Sequence, residues 1–136
     1  MPEGHAPGFQ RVPDYPMVIE DFRGRVRASV AGIVLADSEN VKLMLEGQYP
    51  GVFYFPMADV RIDGFLRATD HRTTCPFKGD ASYWSFSMGD RLEENIAWGY
   101  MDPYDEAASI KGHVAFYWDR MDVWFLDDDQ ITAPPG

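Results

Sequence analysis

The chain has 136 residues, 46% of them hydrophobic and including 9 Phe, 7 Tyr and 4 Trp, which is enough for one self-folding domain and far from a disordered composition. Twelve Lys plus Arg against 22 Asp plus Glu leave a formal charge of −10, which excludes the cationic surface that a nucleic-acid partner needs. No apolar run approaches the roughly 18 residues that span a bilayer, and the single cysteine, Cys75, excludes an intrachain disulfide and a four-cysteine zinc site.

The first residues, MPEGHAPGFQRVPDYP, lack the cationic and apolar regions of a signal peptide, so the expectation is a soluble, cytoplasmic protein without a membrane partner. Pro2, Gly4, Pro7, Gly8, Pro13 and Pro16 deny this segment regular hydrogen bonding, and residues 1–16 read as an extended lead-in to a single domain over 17–126. Val26, Ala28 and Val30 alternate with Arg25, Arg27 and Ser29, and Ala31-Gly32 can turn that strand into Ile33-Val34-Leu35. Val41, Leu43 and Leu45 read as the next strand, with a single helical turn nearly as compatible. Val52-Phe53-Tyr54-Phe55 is β-branched and aromatic, a buried strand that Pro56 ends.

Ala81–Ser87 and Asn95–Tyr100 form the clearest hairpin, closed at Gly89-Asp90. Asp102 as cap and Pro103 at the first helical position, with Asp105 and Glu106 at the favourable end of the dipole, predict one short helix near 103–110. Val114–Tyr117 and Val123–Phe125 are the last strands. Asp127, Asp128 and Asp129 before Pro-Pro-Gly read as a solvated acidic tail over 127–136 rather than as a metal cluster with Asp119 and Asp122. Eight or nine short strands with one helix make a mainly β domain.

The stretch Thr73–Asp80, read as a loop before the long hairpin, gathers a thiol, an amine and a carboxylate. Cys75 is a nucleophile if Lys78 or His71 lowers its pKa, and otherwise a small buried hydrophobe. Lys78 beside Gly79 can hold an anion or, if buried, take part in amine chemistry; its alternative is a salt bridge to Asp80 or Asp70. Arg25 and Arg27 share a strand face suited to a carboxylate or phosphate, or simply cover the sheet. His5, His71 and His113 show no short ligand spacing, and His71 with Cys75 supplies only two donors, so neither metal nor cofactor is expected. Tyr54, Tyr83, Trp98, Tyr100 and Tyr104 flank the same stretch and serve either as core or as the lining of a concave site. Phosphate-loop, dinucleotide, serine-hydrolase and zinc-protease motifs are all absent from the sequence.

The run Thr74-Cys75-Pro76-Phe77-Lys78-Gly79-Asp80-Ala81-Ser82-Tyr83-Trp84, with Tyr54–Val60 before it and Ala97–Tyr100 and Val114–Tyr117 after it, resembles the domain-of-unknown-function 427 family. The resemblance extends from about Val26 to Trp124. It implies a small fold of coiled antiparallel sheets similar to the β-tent proteins, which include yippee, the ligand-binding domain of cereblon and the B-type methionine sulfoxide reductases. Many of those hold zinc through Cys-x-x-Cys pairs, whereas Cys75-Pro76-Phe77-Lys78 has an amine where the second thiolate would stand. The nucleotidyltransferase label that the family sometimes carries requires paired acids beside a Gly-Ser phosphate loop, and this sequence has no such constellation.

These residues together predict a small-molecule pocket. Lys78, Tyr83 and Tyr100 are its candidate catalytic groups and Tyr54, Cys75 and Trp98 its ligand-binding ones. A cofactor-independent isomerase, cyclase or hydrolase and a non-catalytic ligand- or peptide-binding module both remain open, as does a purely structural subunit.

Overall fold

The structure, a computed structural model, describes residues 4–135. In chain order it contains a helical turn α1 (Pro7–Arg11), β1 (Met17–Asp21), β2 (Val26–Val30), β3 (Ile33–Ser38), β4 (Lys42–Glu46), β5 (Val52–Pro56), β6 (Leu66–Cys75), β7 (Gly79–Met88), β8 (Arg91–Gly99), β9 (His113–Phe116), β10 (Val123–Leu126) and β11 (Asp129–Ile131). Three 3-10 turns, Met57–Asp59, Asp105–Ile110 and Trp118–Arg120, join them. The protein is therefore mainly β. No helix among the described residues is long and apolar enough to cross a membrane.

The strands make a seven-stranded sheet in the order β1-β4-β5-β9-β8-β7-β6 and a four-stranded sheet in the order β11-β10-β2-β3, with every pairing antiparallel. Local chemistry sets the tightest connections. Ala31 and Gly32, at φ 52 and 77, form a two-residue turn that closes Val30 on Ile33, and Gly89-Asp90 closes Met88 on Arg91.

Period-two alternation then sorts side chains between two cores. On β5, Phe53 and Phe55 enter the core between the sheets with Val26, Val30, Leu35, Phe86, Ile96 and Trp124. Tyr54, between them, points the other way into a second core with Met44, Ala81, Tyr83, Tyr100, Ala107, Ile110 and Ala115. The helix expected near 103–110 lies at Asp105–Ile110, in 3-10 form and kinked at Ala107, and its Ala107 and Ile110 are fully buried in the second core.

Several local expectations change. Residues 7–11, expected to be extended, form a helical turn whose Gly8 is buried. Thr73–Cys75 end strand β6 rather than lying in a loop, so the loop is only Pro76-Phe77-Lys78, closed by the Cys75–Gly79 pair. Asp129–Ile131, expected in a solvated tail, pair with Trp124–Leu126. β1, β6 and β11 raise the strand number to eleven.

Candidate functional site

The second core is where the chemistry-bearing side chains converge. Tyr54, Tyr83 and Tyr100 are buried in it, with Cys75 and Trp98 partly buried against it. Lys78 reaches the same region from the tip of the β6–β7 hairpin. Its loop is fixed by Gly79 at φ 124, a backbone value that favours glycine, and by the Tyr104 N–H donating to the Lys78 carbonyl at 2.9 Å.

The Lys78 ammonium donates to Glu46 Oε1 at 2.5 Å, and neither Asp70 nor Asp80 is its partner. Asp80 instead accepts from the Thr74 hydroxyl. Glu46 ends β4, second from one edge of the large sheet, whereas Lys78 lies between β6 and β7 at the other. The sheet coils far enough, in the sense its right-handed twist allows, for an ion pair to close across the second core. Lys78 and Glu46 side chains are only 12% and 19% exposed, so the pair is held largely out of water.

The amino-terminal segment covers it. The Gly8 N–H donates to Pro76 O at 2.8 Å, the Ala6 N–H donates to Glu106 Oε1 at 2.8 Å, and the Tyr15 ring stacks on Phe77 with centroids 3.6 Å apart. The Tyr15 hydroxyl donates to the second Glu46 oxygen at 2.6 Å. That bond, with desolvation, raises the Tyr15 pKa to about 12. Tyr15 and Glu46 thus belong to the site although the sequence does not single them out: one lies in a Pro-rich segment, the other is a solvent-side residue of an alternating strand.

Burial pushes the Tyr54 hydroxyl well above its ordinary pKa, against a lowering by the Trp98 indole N–H, which donates to it at 3.2 Å. Burial likewise pushes Tyr100 up, with Tyr54, Cys75, Tyr83 and Glu46 adding to the rise. Tyr83 shares a hydrogen bond with Thr73 Oγ1 at 2.9 Å, and the His71 ring packs on it at 4.5 Å. Tyr100 is only 6% exposed.

The six side chains singled out by the sequence are therefore neighbours of one cluster, with Trp98 at its margin. Tyr104 contributes mainly its backbone N–H. Arg25 and Arg27 find partners within the fold: Arg25 forks onto Asp37 at 2.8 and 2.7 Å, and Arg27 donates to the Asp127 carbonyl and lies over Phe125. His5 faces Glu106, and His113 Nδ1 contacts the Lys111 carbonyl. Among the described residues no three His, Cys, Asp or Glu side chains converge as metal donors. A family model described as a domain of unknown function (DUF427) matches residues 18–127, while no curated protein matches the chain significantly.

Proposed function

Since the chain belongs to the DUF427 family, whose description names no activity, its function is argued from its own residues: we propose that it binds a small organic molecule at the Lys78–Glu46 pair and moves a proton on it. The observation that carries this is an amine and a carboxylate, 12% and 19% exposed, set beside the buried Tyr54, Tyr83 and Tyr100. Sequestered pairs of opposite ionisable groups are a costly arrangement for stability alone, and they concentrate at sites that transfer protons.

In this scheme Lys78 anchors an anionic or carbonyl oxygen, Glu46 accepts a proton from the adjacent carbon, and Tyr100 donates a hydrogen bond to the oxygen as charge develops there. Return of the proton from Glu46 to a different carbon completes an isomerisation with no net redox change. Tyr54 and Trp98 supply a wall in which the indole N–H donates to the Tyr54 hydroxyl, and Cys75 packs against the cluster without a chemical role.

Native mass spectrometry tests the proposal, on the protein as purified and after incubation with a panel of small carboxylates and phosphates. An added organic mass that Lys78→Met abolishes, in a variant with an unchanged far-ultraviolet circular dichroism spectrum, is the expected result. Glu46→Gln should keep the mass while losing turnover. An adduct unaffected by Lys78→Met, or none with any member of the panel, rejects the site; binding that never leads to turnover leaves a non-catalytic module.

A further inference from the structure

A concave feature lies where two central strands of the large sheet separate, away from the Lys78–Glu46 pair. β5 and β9 pair only at Phe55–Val114 and Pro56–His113. Beyond that point Val52 and Phe53 pair with β4 alone, and Ala115 and Phe116 with β8 alone. The gap opens a groove of about 410 Å³, inside the range of small-molecule sites.

Its lining is unusually aromatic. Three of the four tryptophans, Trp98, Trp118 and Trp124, meet there with Tyr117, and Thr132–Pro134 form part of the opposite wall. That wall is tied down by the Gly51 N–H donating to Pro135 O at 2.5 Å. A Cβ on Gly51 would lie 2.7 Å from the same oxygen, so only glycine permits the closure. The rings are set before any ligand arrives: Trp118 and Trp124 stack at 4.4 Å, while Trp98 and Tyr117 stand 4.6 Å apart at 46°, an open wedge.

The charge in this groove has one sign. No Lys, Arg or His lines it, and Asp119 is its single charged residue. Asp119 is exposed and forms no ion pair among the described residues, in a chain of net charge −10. Aromatic faces carry a negative quadrupole potential that attracts a poorly hydrated cation, and the acidic surface raises the local concentration of such a ligand. One carboxylate is too few donors for a hard metal ion, and an anion would meet only repulsion.

We propose that this groove binds a small organic cation of the alkylammonium type, its charge against the Trp98, Tyr117 and Trp118 rings and the Asp119 carboxylate. The proposal does not rest on the proton-transfer reading of Lys78, although Trp98, whose indole N–H donates to the Tyr54 hydroxyl, borders both sites.

Choline and its neutral carbon isostere, 3,3-dimethylbutanol, are the probes, followed by calorimetry and tryptophan fluorescence on the full chain. Choline should bind saturably and the isostere about tenfold or more weaker, since the two differ in charge and hardly in shape. Asp119→Asn, an exposed substitution, should weaken choline about fivefold, and Trp118→Leu about tenfold or more. Trp118→Leu retains the backbone carbonyl to which the Trp124 indole donates at 3.3 Å. Equal binding of the isostere, no saturable binding of choline, or indifference of choline binding to Asp119→Asn would each overturn the proposal.

Discussion

Lys78 and Glu46 are the residues whose environment most exceeds what a surface pair provides. Removing one partner leaves the other shielded and uncompensated, while removing both leaves two neutral groups. Breaking a fully buried pair costs several kcal/mol; scaled for the remaining exposure of this one, Lys78→Met should cost about 1–3 kcal/mol in urea unfolding. Adding Glu46→Gln to it should recover part of that loss, because neighbouring sites do not add. A double variant whose loss equals the sum of the two single losses would mean that the pair has no coupling. Tyr15 ties into the same carboxylate, so the coupling extends to a residue far from both in sequence.

At the scale of elements, the amino-terminal arm matters most for access to that cluster. Its contact is tight: a Cβ on Gly8 would come within 2.6 Å of the Phe77 ring and 2.8 Å of the Pro76 carbonyl. Gly8→Ala should therefore lift the arm, speeding hydrogen exchange at the Ala6 and Gly8 amides while leaving exchange in β5 and β7 unchanged. Freed from Glu46, the Tyr15 hydroxyl should then titrate below its present value of about 12. An unaltered exchange map would show that the arm is not held by this contact. β6 illustrates a different lesson: its Arg67-Ala68-Thr69-Asp70-His71-Arg72-Thr73-Thr74 carries almost no apolar alternation, because an edge strand is mostly exposed on both faces and is held by its ladder to β7.

For the whole molecule, pH should bound stability on both sides. Arginine bonds hold the Asp37, Glu93 and Asp122 carboxyls below their ordinary values. A depressed carboxyl stabilises the fold above its unfolded pKa, near 4, and that contribution is lost as pH falls through the folded one. The tyrosines act in the opposite sense. Tyr15, Tyr54 and Tyr100 are raised, so their contribution is complete below about pH 10 and is lost as pH rises past it. Melting temperature should therefore be flat between about pH 5 and 9 and fall outside that window. Absorbance at the tyrosinate band should show a late ionisation step coincident with loss of near-ultraviolet dichroism; full ionisation of all 7 tyrosines in the folded state would contradict it.

Much of the architecture was legible because it depends on local chemistry. Alternation in Val26–Val30, the aromatic run at Phe53–Phe55 and the turns at Ala31-Gly32 and Gly89-Asp90 encode strands and hairpins through period and backbone preference, which adjacent residues suffice to express. The convergence of Tyr54, Cys75, Lys78, Tyr83 and Tyr100 could be anticipated because they flank one segment and carry reactive or amphipathic groups. Only the tertiary structure decided that Glu46 is the partner of Lys78, that Tyr15 caps that pair, and that parted strands bring Trp98, Trp118 and Trp124 to one groove. Those relations depend on how far a sheet coils and where its strands diverge, quantities set by the packing of both faces at once and carried by no single stretch of chain.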